Sequence, residues 1–199
     1  MFSTRIPEGA NRYSIPLMPS ARVLANIGDF LCAEATNKRR VVVVANGATA
    51  LTHVSEHVQR TVVALKVIHV AKRPPVIPTS PKWYNQEADV LFTTYIESAA
   101  GVDLGAYDTV LFLGLPHESS ELIQAGGRIA RIHRPDDLSF KKWVIGWDGS
   151  FGKEARLAGV AWAQHHLNQY FDENRVSVVD LNSEPSYVAP SGDQLRQHS

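Results

Sequence analysis

Apolar positions along this chain repeat at helical spacing in some stretches and run continuously, as in buried strands, in others, and the two kinds of stretch take turns. Residues 21–35 carry helical periodicity, 40–45 form an apolar strand, and 48–60 return to helical spacing. Residues 62–70 predict a second strand, with Lys66 and His69 at an exposed edge. Val90 to Phe92 read as a short buried strand ending in Thr93 and Thr94. The apolar run from Tyr107 to Pro116 suits a parallel strand covered on both faces. Trp143 to Trp147 predicts another strand, 152–171 a long helix and 176–181 a last strand. Residues 1–19, rich in Pro, Gly and Ser, predict an extended lead-in, and the polar residues 182–199 a disordered tail. This order predicts one α/β domain over 20–181, with a central, mostly parallel sheet and helices on both faces. Function is expected at the carboxyl ends of the strands.

Composition changes this picture little. The 199 residues suffice for one sizeable α/β core, and 44% hydrophobic with 20% charged residues describes an ordinary globular protein. Twenty Lys and Arg balance twenty Asp and Glu, which argues against a nucleic-acid module that binds by net charge alone. Basic positions still cluster locally, at Lys38 to Arg40, Lys72-Arg73, Lys82 and Lys141-Lys142. The single cysteine, Cys32, is expected to be buried on the helix before residue 40, and no apolar run approaches a membrane span. His165 and His166 lack acidic or thiol partners at metal-ligand spacing. The expected location is intracellular.

The chemistry concentrates between residues 119 and 135. Gln124, Arg128 and Arg131 stand at i, i+4 and i+7 and share one face of a helix. Leu122, Ala125, Ile129 and Ile132 fall on the opposite face, which suits packing against a sheet. Ser119 or Ser120 is positioned to cap the helix, and Pro135 stops it. Gly126 and Gly127 each cost a helix interior about 1 kcal/mol relative to Ala, so something is expected to approach the backbone there. Arginine suits phosphate because its planar fork donates two hydrogen bonds and stays charged. Upstream lies a strand, Thr93-Thr94, a small-residue loop with Gly101 and Asp103, and a second strand.

In that order the chain resembles the C-terminal RecA-like domain of superfamily two helicases. Thr94 to Asp103 looks like motif V, one residue longer than usual; Gln124 to Arg131 looks like motif VI; Arg39 to Gly47 is similar to motif IV. The resemblance implies an α/β RecA-like fold and the C-terminal half of an ATP-dependent nucleic-acid helicase or translocase. It implies that Arg128 and Arg131 are arginine fingers and that Gln124 contacts the γ-phosphate region or the attacking water. Gly101, Asp103 and Gly127 would lie near the nucleotide, and Thr93 or Thr94, with Asn46 and Gly47, near a single strand of RNA or DNA. ATP with Mg²⁺ is the implied cofactor. The short connections lean toward a viral replication helicase, cytoplasmic in that case.

A complete motor also needs a phosphate-cradling loop and an acidic metal motif, and neither is present. The stretch Gly146 to Glu154 imitates the loop but has five residues between its glycines, and Glu154 stands where a hydroxyl belongs. The isolated chain is therefore expected to lack ATPase activity and to depend on an N-terminal RecA-like domain, in cis or on another chain. The alternative is a non-catalytic helicase-like scaffold or nucleic-acid-binding module.

Overall fold

The computed structural model describes residues 2–69, 88–96, 104–130, 141–150 and 152–184. Six strands form one sheet: β1 (Val41–Ala45), β2 (Val67–His69), β3 (Val90–Thr94), β4 (Thr109–Phe112), β5 (Lys142–Trp147) and β6 (Val176–Asp180). Their order is β2-β3-β1-β4-β5-β6, and every pairing is parallel. Helices α1 (Ala21–Thr36) and α2 (Ala48–Thr61) precede β1 and β2; α3 (Ser119–Gly127) and α4 (Lys153–Tyr170) follow β4 and β5.

Strand alternation divides the core in two. Val41, Val43, Val90, Phe92, Leu111 and Val144 pack with Val23, Ile27, Leu31, Leu51 and Val54 of α1 and α2. Val42, Val44, Leu91, Val110, Phe112 and Ile145 pack with Leu122, Ala125, Val160, Trp162 and Leu167 of α3 and α4. Successive residues of a strand face opposite sides, so a run of valines satisfies both layers at once. Helices on both faces of a parallel sheet match the expected fold class.

The expected second strand is the main departure in the fold. Helix α2 runs to Thr61, Val62 closes it, and Leu65 N–H turns back to the Val62 carbonyl. The strand starts only at Val67, which leaves Val63 exposed. It is the edge strand, and Lys66 lies just before it, its backbone amide donating to Asp89 Oδ2 at 2.8 Å. Cys32 is half-buried rather than buried. Among the described residues no helix is long and apolar enough to cross a membrane.

The lead-in does more than approach the domain. Ile15 is buried in the core beside α1, and an antiparallel bridge joins Arg5 to Glu118. The Ser3 carbonyl accepts Trp162 Nε1–H at 2.8 Å, and His166 Nε2 lies 2.9 Å from the same oxygen. Phe2 and His165 rings sit 4.6 Å apart. The two adjacent histidines of α4 thus hold the start of the chain. Packing of the domain therefore begins well before residue 20.

Candidate functional site

Helix α3 leaves the carboxyl end of β4 through residues 113–118. Its cap is Glu118, with no side-chain capping bond, rather than Ser119 or Ser120. The Ser119 amide is used by the lead-in instead, donating to the Thr4 carbonyl at 2.8 Å. Leu122, Ala125 and Ile129 are buried against the sheet, while Gln124 is exposed and Arg128 half-buried. The amphipathic reading of this helix is therefore what packing produces, and Gln124 and Arg128 stand one turn apart. Regular helix ends at Gly127, but Arg128 keeps helical dihedrals (φ −64°, ψ −34°), so the register of its side chain continues. Arg131, Ile132 and Pro135 lie outside the described residues.

The two glycines of this helix have different causes. A Cβ on Gly126 would lie 3.0 Å from Trp143 and Phe171, and Trp143 Nε1 donates to the Gly126 carbonyl at 3.0 Å. What approaches the backbone there is the protein's own indole, not a ligand. At Gly127 a Cβ would meet nothing within 4 Å. Gly127 lines a cavity of about 360 Å³ with Trp143, Tyr170, Phe171, Asp172 and Arg175.

The two threonines at the end of β3 are fully part of it. Thr93 and Thr94 pair in register with Val44 and Ala45, and both are buried. Thr93 Oγ1 lies 3.4 Å from the Thr94 carbonyl. Tyr95 follows, its hydroxyl donating to the Gly114 carbonyl at 2.8 Å and its ring stacked parallel to Phe112. Burial pushes its phenol well above the usual tyrosine range; the charge of Glu121 adds to this and Arg12 opposes it. Gly101 and Asp103 lie outside the described residues.

Asn46 stands at the carboxyl end of β1. Its amide donates to the Arg12 carbonyl at 3.0 Å, and it packs so closely on Gly114 that a Cβ there would sit 3.0 Å from the Asn46 nitrogen. Gly47, extended at φ −147°, caps α2 without a side-chain bond, and no acid occupies that helix's first turn. The amides at this N-terminus carry the positive end of the helix dipole.

The loop that imitates a phosphate cradle is filled by carboxylates. Asp180 Oδ1 accepts from the Gly149 and Asn182 amides at 3.1 and 2.9 Å, and Asp148 Oδ1 accepts from Ser150 at 2.9 Å. Gly146 is a packing glycine, since a Cβ on it would reach Leu181 at 2.8 Å. Among the described residues no three His, Cys, Asp or Glu side chains converge to hold a metal.

Sequence reasoning missed three residues that shape this end of the sheet. Arg12 Nε donates to the Leu115 carbonyl at 3.3 Å, and Arg12 Nη1 is in hydrogen-bond contact with His117 Nε2. Arg156, almost fully buried on α4, donates to the carbonyls of Tyr13 and Asp148, both at 3.3 Å. No local pattern marks them, because each meets a partner more than 100 residues away or across a turn.

Six parallel strands, helices on both faces and an arginine-bearing helix after β4 define a RecA-like domain of the helicase type. Two solved structures share the fold. The crystal structure of T4 UvsW aligns with a TM-score of 0.56 at 14% identity, over 81% of this chain and 35% of that one. The C-terminal part of the Fun30 ATPase domain aligns with a TM-score of 0.53 at 11% identity, over 72% of this chain and 46% of that one. The chain thus spans less than half the length of either. No curated protein matches it. The helicase conserved C-terminal domain family matches residues 23–133, more than half of the 199, and the chain belongs to that family.

Proposed function

We propose that this chain is the C-terminal half of an ATP-dependent nucleic-acid helicase or translocase, active only with an N-terminal RecA-like domain in cis or on another chain. One observation carries the reading. Helix α3 seals Leu122, Ala125 and Ile129 into the core, while Gln124 and Arg128 remain on its other side, one turn apart. The partner domain would hold ATP and its Mg²⁺, since the phosphate-cradling loop and acidic metal motif of a complete motor are not in this sequence.

In this reading, closure of the two domains brings Arg128 and Arg131 to the γ-phosphate. Negative charge spreads over the phosphoryl oxygens as the bond to the leaving group lengthens. A guanidinium fork donates two hydrogen bonds to that charge without reorganising. Gln124 orients the attacking water or the γ-phosphate, and Gly101, Asp103 and Gly127 border the nucleotide. Asn46 and Gly47 bring the open N-terminus of α2 to a single strand's backbone. Thr93 or Thr94, which close β3 at this same end of the sheet, is the threonine this reading assigns to that strand's backbone. An intracellular site of action goes with this role.

The test is single-turnover ATP hydrolysis by the two-domain protein. Arg128→Ala and Arg131→Ala are each expected to lower the rate by about 10³-fold or more, the range known for arginine fingers. Hydrolysis at the wild-type rate in both variants overturns the arginine-finger assignment, and absence of hydrolysis in the unmodified two-domain protein favours the scaffold reading instead.

A further inference from the structure

The lead-in crosses the carboxyl ends of four elements and is clamped residue by residue. The Arg12 carbonyl accepts from the Leu115 amide at 2.7 Å and from Asn46 Nδ2 at 3.0 Å. The Tyr13 carbonyl accepts from Arg156, and the Ser14 carbonyl from the Asp148 amide at 2.8 Å. The Tyr13 amide donates to Asn11 Oδ1 at 2.9 Å. The backbone is thus hydrogen-bonded at each of these residues, yet Tyr13 is 43% exposed. Beside it, the Arg12 guanidinium reaches His117, not a carboxylate. Arginine only donates, so the ring nitrogen accepts in this contact, and Arg12 spends Nε on the Leu115 carbonyl and one Nη1 donor on His117. Glu118, next to His117 in the chain, pairs with Arg5 at 2.8 Å. Arg12 itself sits by the ends of β1 and β4.

From this juxtaposition we infer that Arg12, Tyr13 and His117 form a contact site for a single strand of nucleic acid, at the same carboxyl end of the sheet as Asn46. The inference rests on the helicase reading above and deepens it. The guanidinium donors of Arg12 that Leu115 and His117 do not take can hold a phosphate oxygen of the strand. The exposed Tyr13 ring, carried on a hydrogen-bonded backbone, offers a base a stacking surface. Neither interaction reads sequence, which suits a strand that must slide.

The experiment measures binding of a fluorescent single-stranded oligonucleotide to the full chain by anisotropy, over a range of salt. Tyr13→Ala is expected to weaken binding about tenfold and Tyr13→Phe less than twofold, because stacking needs the ring and not the hydroxyl. Arg12→Gln is expected to reduce the slope of log K against log salt by about 0.7, the loss of one phosphate contact on a single strand. Excess ATP should not displace the strand; if it does, the pair holds the nucleotide's phosphates and the inference is overturned. Equal affinity of Tyr13→Ala and wild type also overturns it, whether or not Arg12→Gln folds. Failure of the wild-type chain to bind any strand sinks the inference together with the proposed nucleic-acid role. Loss of ATP turnover on Arg128→Ala is independent of all these outcomes.

Discussion

The indole of Trp143 and the carbonyl of Gly126 meet at 3.0 Å, and this bond fixes the angle of the arginine helix on the sheet. Trp143 lies at the amino end of β5, stacked on Phe171 with ring centroids 4.2 Å apart. The helix rests on that stack just one residue before Gly127 and two before Arg128. Gly126→Ala must push against two rings at 3.0 Å. It is expected to cost about 1–3 kcal/mol, as overpacking does, measured as a lower urea midpoint. Gly127→Ala meets nothing and needs no unusual backbone, so it should be neutral or stabilising by up to about 1 kcal/mol. Equal effects from the two substitutions would show that packing does not distinguish them.

The lead-in is expected to be indispensable for folding. Removing residues 1–19 takes Ile15 out of the core and strips acceptors from Leu115, Ser119, Asp148 and Trp162. The shortened chain should lose its cooperative thermal transition. The single change Ile15→Ala should cost about 2–5 kcal/mol in chemical denaturation, as truncation of a buried isoleucine does. A fully cooperative, unshifted transition without residues 1–19 would place the domain boundary at residue 20 after all.

Alkaline pH should reveal the two buried phenols. Burial raises both Tyr95 and Tyr107 above the unfolded value of 10.0, against the opposing charges of Arg12 and Arg40 respectively. The folded chain therefore keeps both protons while the unfolded chain releases them. Stability contributed by these groups is intact below pH 10 and falls as pH rises through their folded values. Tyr95→Phe with Tyr107→Phe should flatten that fall. At neutral pH Tyr95→Phe alone should cost about 1 kcal/mol for the lost bond to Gly114. An unchanged slope above pH 10 in the double variant would assign the alkaline loss to other groups.

Arg128→Lys keeps the charge but not the fork. A single ammonium cannot make paired hydrogen bonds to the phosphoryl oxygens, so ATP turnover by the two-domain protein is expected to fall about 10²-fold. The thermal midpoint should barely move. Turnover within threefold of wild type would mean that a point charge suffices at this position.

Much of the site was legible from residue order because its logic is local. Gln124 and Arg128 share a face by helical geometry alone, and Leu122, Ala125 and Ile129 declare which side meets the sheet. Thr93 and Thr94 were placed at the strand end, but β3 absorbs both, since each finds a partner in β1 that no local pattern names. The bond from the Asn46 amide to the Arg12 carbonyl joins residues 34 apart, so no local pattern announces it.

By itself, the sequence determined the alternation of helices and strands, the two-faced sheet and the amphipathic arginine helix, because period and side-chain direction are properties of neighbours on the chain. Only the tertiary structure decided why Gly126 is a glycine, what fills the loop after β5, and that the lead-in locks onto the carboxyl ends of the strands. Each of these depends on atoms brought together from distant positions. Close packing and the pairing of buried polar groups are settled only when the whole chain is folded.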